Sequence, residues 1–330
     1  MQSGRGGPAV LAAALSTVLL ASGCVGASDR PQAGSPTSGV SGAASARPGS
    51  AQPAPTLTPT PTATSPVELP RGGRAIFPHY RLVGFAGHPG STALGRLGVG
   101  DLDDRAREIE KVAKPYADGR TVLPVLELIA TVVQGSPGRD GMYRTRSSDA
   151  LIARHLAAAR KVQGLLLLNI QPGRSDFLTE VRAYAKWLRE PDVGIALDPE
   201  WRMGPGQVPM RVYGHTTGQE IDSVARYLSG IVAADDLPQK VLVFHQVAVS
   251  VVRDQQAIRS HPGVAVVKSV DGIGSRQMKE HTYRAVMKGR PRSVHPGFKL
   301  FYEEDRRFGP LMTPKQVLAL TPEPEYILYE

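Results

Sequence analysis

The sequence is nearly without cysteine: Cys24 is the only one among 330 residues. A single thiol closes no disulfide within the chain, so a folded domain here must be held by its core. Long apolar runs are equally scarce. Residues 9–21 form a short one, and no segment supplies the roughly 20 consecutive apolar residues that a membrane-spanning helix requires. The eight histidines form neither HExxH nor HxxxH, which excludes a helix-borne metal site of that kind. No G-x-S-x-G occurs, so the nucleophile elbow of an α/β serine hydrolase is missing. The stretch GRLGVG at 95–100 lacks the spacing of a dinucleotide fingerprint or a Walker loop. Basic clusters such as 288–292 are short and carry no interleaved aromatics, which argues against nucleic acid as a partner. The formal charge of +9 is spread along the chain. It suits contact with an anionic lipid or envelope polymer, but a solvated basic face without any role is the reading it favours.

What is present begins at the N-terminus. Arg5, the apolar stretch 9–21 and the sequence LASGC at 20–24 resemble a bacterial lipoprotein signal and lipobox. The resemblance implies a signal peptide over 1–23, a lipidated Cys24, and attachment to the extracytoplasmic face of a cell membrane. A secretory signal with a chance cysteine is the competing reading, disfavoured because Cys24 is the chain's only cysteine. Residues 24–71 are rich in Pro, Thr, Ser, Ala and Gly, as in APTLTPTPTATSP. Such a composition buries too little apolar surface to offset its ordering entropy, which predicts a disordered tether.

Residues 72–330 alternate apolar runs with helix-like segments. Strands are predicted at 80–86, 121–129, 164–170, 193–197, 240–245, 263–268, 297–302 and 325–329. Helices are predicted at 101–116, 147–162, 176–188, 218–233, 254–259, 276–288 and 314–320. Asp101 is the expected N-cap of the first helix, and Gly119 stands near its end. Eight strands with seven intervening helices predict a (β/α)8 TIM barrel. A doubly wound open sheet gives the same alternation and is the competing architecture.

In such a barrel, chemistry gathers where strands run into loops at the C-terminal face. Polar residues follow nearly every apolar run. They are His88 after the first, Glu127 near the end of the second, Asn169 and Gln171 at the third, and Asp198 and Glu200 at the fourth. His245 and Gln246 end the fifth, Lys268 and Asp271 the sixth, and Glu303, Glu304 and Asp305 follow the seventh. The segment LDPEWRM at 197–203 carries the strongest signal. Side chains alternate along a strand, so Gly194, Ala196 and Asp198 share a face, and the small residues below the acid leave room. Paired carboxylates suit glycosidic chemistry, in which one acid protonates a leaving oxygen and another acts as nucleophile or activates water. Glu200 is the expected acid, Asp198 tunes it by like-charge repulsion, and Glu303 or Asp305 is the expected partner across the mouth. Trp201 offers a flat face for a sugar ring.

The remaining candidates carry open alternatives. Asp140 in GRDGMYR, 138–144, reads as turn chemistry or ligand contact, and Tyr143 as a hydroxyl-binding group. His245 reads as a ligand-binding group or a satisfied core histidine. Lys268 reads as substrate contact or as a salt bridge to Asp198 or Glu303. The opposing reading of the acidic pair has Asp198 capping a turn and Glu200 paired with Arg202 at the surface.

Taken together, the lipobox at Cys24, the Pro/Thr tether, and the LDPEW and GRDGMYR segments resemble those of actinobacterial lipoproteins whose exported domain is a glycoside-hydrolase-like TIM barrel. The resemblance implies an envelope role, carbohydrate processing, and a glycan or other polar small molecule as ligand, with no cofactor and no metal. It assigns no catalytic residue. Two functions remain in view: a surface-tethered hydrolase of an envelope or extracellular glycan, and a barrel that binds its ligand without turnover. Two free carboxylates across an open groove favour the first; acids locked to Lys268 or to arginines favour the second.

Overall fold

The computed structural model describes residues 66–330, and the expected signal peptide, Cys24 and most of the Pro/Thr tether lie outside the described residues. Eight parallel strands run β1 Tyr80–Gly87, β2 Thr121–Val133, β3 Leu165–Ile170, β4 Val193–Leu197, β5 Lys240–Gln246, β6 Val264–Val270, β7 His295–Leu300 and β8 Tyr326–Tyr329. Each pairs with the next, and the sheet closes on itself because Gly84 of β1 is in register with both Leu328 of β8 and Val125 of β2. Closure makes this a TIM barrel and rules out the open sheet.

Helices fill most crossovers: α1 Leu102–Ala113, α2 Asp149–Lys161, α3 Phe177–Arg182, α4 Gly218–Ala234, α5 Arg276–Met287 and α6 Pro314–Leu318. Asp101 caps α1 as expected, accepting from the amides of Asp103 and Asp104 at 2.9 and 3.1 Å. Between β5 and β6 the expected helix shrinks to a 3-10 turn over Gln255–Ala257. The predicted 176–188 helix breaks after Arg182 and resumes as a 3-10 turn at Trp187–Arg189.

Alternation along the strands sorts the core into two bodies. Leu82, Val125, Leu167, Ala196, Val243, Val267 and Leu328 fill the barrel interior, joined at its lower end by Leu69 and Ile76 from the entering chain. Val83, Leu126, Leu168, Leu197, Phe244, Val266 and Phe298 face the helices. Gly84 is required by this packing, since a Cβ there would lie 1.9 Å from the Val125 carbonyl oxygen. At Gly194 a Cβ would lie 2.7 Å from both Leu167 Cδ2 and the Val241 carbonyl oxygen. The room expected beneath Asp198 is therefore filled by neighbouring strands.

β2 runs four residues beyond its predicted end. A register shift between Ile129 and Thr131 lifts it out of the barrel, where Thr131–Val133 pairs antiparallel with Arg144–Arg146. The GRDGMYR segment is the connection of that small ribbon.

Candidate functional site

Continuing the interior face of each strand upward brings polar groups to the C-terminal mouth. Glu127 follows Leu123 and Val125, Asn169 follows Leu165 and Leu167, Asp198 follows Gly194 and Ala196, and His245 follows Val241 and Val243. Ser269, Asp271, Lys299, Tyr326 and Glu330 share the same parity on β6, β7 and β8. These groups close a loop around the lumen. Tyr326 Oη donates to Glu127 Oε2. Glu127 Oε1 lies 3.0 Å from His245 Nε2, without hydrogen-bond alignment, so that contact is electrostatic. His245 Nδ1 reaches Asp271 at 3.0 Å, Lys299 Nζ lies 3.1 Å from Asp271 Oδ2, and Lys299 Nζ meets Glu330 Oε2 at 2.5 Å. Ser269 Oγ donates to Asp271 Oδ1 at 3.0 Å.

Asp198 is attached to this ring by amides. Asn169 Nδ2 donates to Glu127 Oε1 and to Asp198 Oδ1, both at 2.9 Å, and Gln171 Nε2 donates to Asp198 Oδ2 at 3.0 Å. Gln171 is itself fixed, because its Oε1 accepts the Val133 amide at 3.1 Å. Both Asp198 oxygens therefore accept from neutral donors, an arrangement that suits a carboxylate.

Glu200 sits one turn further on, in the 3-10 segment Pro199–Trp201. It is 93 % buried, yet Oε2 has no hydrogen-bond partner. The surface pair with Arg202 does not form, because Arg202 Nε binds Glu220 Oε1 at 3.0 Å instead. Burial, reinforced by the charges of Asp198 and Asp271, pushes the Glu200 carboxyl well above the usual glutamate range. Burial raises Asp198 too, but His245, Lys299 and the Asn169 hydrogen bond pull against it. At Glu127 and Asp271 burial is outweighed by His245 and Lys299, and both carboxyls fall below their usual values. His245 and Lys299 are buried cations in turn: desolvation is overcome by Asp271, with Glu127 aiding His245 and Glu330 aiding Lys299, and both rise well above normal. The mouth thus holds two classes of acid: Glu127 and Asp271, lowered by neighbouring cations, and Asp198 and Glu200, raised by burial.

The other expected residues fall in several places. Trp201 is half-buried next to Glu200. His88 is half-buried in the loop after β1, its imidazole shifted down by burial. Asp140 is exposed and does turn work, accepting the Met142 amide at 3.1 Å and pairing with Arg144 at 2.7 Å. Tyr143 lies under the Arg174 guanidinium, 4.4 Å from ring centroid to Cζ. Gln246 has the outward parity, and its Nε2 donates to the carbonyls of Ala248 and Val249 in its own loop. Glu303 is exposed. Asp305 ties three segments together, accepting the amides of Gly274 and Phe301 at 3.0 and 2.9 Å and pairing with Lys279 at 2.8 Å.

Lys268 departs most from expectation. It has outward parity and donates to Gln255 Oε1 at 2.6 Å and to the Val286 carbonyl in the helix layer, so it forms no salt bridge with Asp198 or Glu303. Lys299, Tyr326 and Glu330 take the interior positions that sequence reasoning did not single out. Their signal was a charged or hydroxylated residue in phase with small interior residues, as in Gly297 and Lys299.

Two surface hollows, of about 520 and 710 Å3, lie elsewhere. One is lined by Arg71, Glu110, Lys114 and Val122, and the other by Pro115, Thr313 and Leu318. Neither touches the acidic cluster, and the chemistry of the cluster places the candidate site at the mouth. No family model matches the chain, and no curated protein resembles it significantly.

Proposed function

We propose that the barrel mouth is a carboxylate acid–base site that hydrolyses glycosidic bonds of an envelope or extracellular glycan. The observation that carries this reading is Glu200, a buried carboxyl with a free Oε2 beside an amide-anchored Asp198. A carboxyl whose burial favours its protonated form is the group an acid-catalysed glycosidic cleavage needs. Glu200 donates its proton to the leaving oxygen. Asp198 acts as the partner carboxyl, its position held by Asn169 and Gln171. Trp201 adjoins Glu200 in the chain, and burial and then the charge of Glu200 raise the Tyr213 hydroxyl.

Release of reducing ends from envelope glycans tests this. Glu200→Gln is expected to lower turnover roughly 10²- to 10⁴-fold, the range of a lost general acid, with the fold retained. Unchanged turnover removes Glu200 from the mechanism. The second reading, ligand binding without turnover, draws on a specific observation: Glu127, Asp271 and Glu330 are locked to His245, Lys299 and Tyr326. Those locks involve neither Lys268 nor any arginine, and they leave Glu200 free.

The location follows from the N-terminal resemblance. We propose that the domain is carried on the extracytoplasmic face of the membrane by a lipid on Cys24. Metabolic labelling with a palmitate analogue should mark the full chain and fail on Cys24→Ala; equal labelling of both removes the anchor.

A further inference from the structure

The ring at the mouth does not balance its own charge. Glu127, Asp198, Glu200, Asp271 and Glu330 bring five carboxyl groups together, against two cations, His245 and Lys299, so the acids outnumber their counter-charges. All but Glu330 are at least nine-tenths buried. Two further acceptor atoms in this cluster have no partner: Asn169 Oδ1, on a side chain whose Nδ2 is already given to Glu127 and Asp198, and Glu200 Oε2. A surplus of acids beside unpartnered acceptors is costly for a folded protein alone, and a cation carrying hydrogen-bond donors relieves both costs.

Among the described residues, no group of three or more His, Cys, Asp or Glu side chains is placed to hold a metal ion. The complement of choice is therefore an organic cation. A primary ammonium is a compact charge with three donors and no acceptor. The acceptors on offer are Asp198 and Asn169 Oδ1, with Glu200 Oε2 left for the proton that Glu200 donates. The protein as a whole is positively charged, +9 by formal count, so this negative floor is a local feature, selecting a cation at contact more than steering it from a distance.

We infer that the mouth recognises a protonated amine on its ligand, an amino sugar with a free ammonium group held by Asp198 and Asn169. This deepens the proposed function by naming a substrate class; it rests on the mouth being the binding site and does not require turnover.

Calorimetric titration of the full chain tests it, at a mildly acidic pH where sugar amines are charged. Three probes are compared: a fully deacetylated glucosamine hexamer, its fully N-acetylated counterpart, and a neutral glucose hexamer. The deacetylated hexamer is expected to bind at least about tenfold tighter than either of the others, with the preference lost in Asp198→Asn. Equal or tighter binding of the N-acetylated or glucose hexamer overturns the inference, as does absence of binding by all three. Should Asp198→Asn fail to fold, the three-probe comparison on the unaltered chain still decides. Reducing-end release measured on the same samples separates the two claims. Cleavage without an amine preference overturns this inference and leaves the acid–base reading standing. Amine-selective binding without cleavage does the reverse.

Discussion

The two ends of the barrel use charge in opposite ways. At the lower end, cations are spent on backbone carbonyls. Arg71 donates to the carbonyls of Val122, Val162 and Gln163, and Lys240 to those of Glu190 and Val193. Arg74 likewise reaches Val67, Asp236 and Leu237. These contacts satisfy strand and helix ends that would otherwise be left without partners, and they pin the entering chain beneath the barrel. At the upper end, charges are spent on one another. Side chains from β2, β3, β5, β6, β7 and β8 interlock, and Asn169 Oδ1 and Glu200 Oε2 remain unpartnered. One end is built for closure. The other keeps an acid under electrostatic load, which is a cost to folding that a site can use.

Disturbing each end should therefore give different signatures. The largest effect is expected for Lys299→Met, which leaves Asp271 and Glu330 without their lysine inside the mouth. Denaturant unfolding should show a loss of about 3–5 kcal/mol, as for one partner removed from a buried ion pair. A neutral result would mean that the ring contributes little net stability. Arg71→Ala comes next. It removes three carbonyl contacts and the pair with Glu110, and about 1–3 kcal/mol should be lost. Turnover per folded molecule should stay unchanged, because the side chain lies at the far end from Glu200; a fall in turnover would break the contrast between the two ends.

The smallest effect sharpens the comparison by pH. Glu200 is raised above its ordinary value near 4.5, so the native state holds a proton that the unfolded chain releases. Its contribution is fully present below about 4.5 and is lost as pH climbs through the raised value. His245 acts with the same sign, from its ordinary value near 6.5 upward. Asp271 and Glu127 act with the opposite sign, contributing above their ordinary values and losing that contribution in acid. Glu200→Gln should therefore flatten part of the decline in melting temperature on the alkaline side while leaving the acid limb intact. Parallel curves for the two proteins would show that Glu200 titrates normally.

Much of the fold was legible in the chain. The eight apolar runs and their spacing produced strands within a few residues of their observed ends, since strand and helix periodicities are local properties. Asp101 announced a cap because a short acceptor before an amphipathic run has one obvious use. The 3-10 turn over Gln255–Ala257 was harder to read, because the stretch DQQAIR at 254–259 looks helical until its neighbours leave room for one turn only. At the site, Asp198 and Glu200 stood out as acids at the end of a short apolar run. Lys268 and Lys299 did not separate. Both interrupt strands that are apolar on both faces, as parallel barrel strands are, so alternation gave no clue to inside and outside.

By itself, then, the sequence determined the alternating elements, the number of strands, and the presence of acids after the fourth run, because these depend on neighbours in the chain. Only the tertiary structure decided which lysine faces the lumen, that Asp305 is tied to Lys279, and that Glu200 keeps an oxygen without a partner. Those outcomes depend on register and closure, which bring together residues as distant as Glu127 and Tyr326 and which no local pattern encodes.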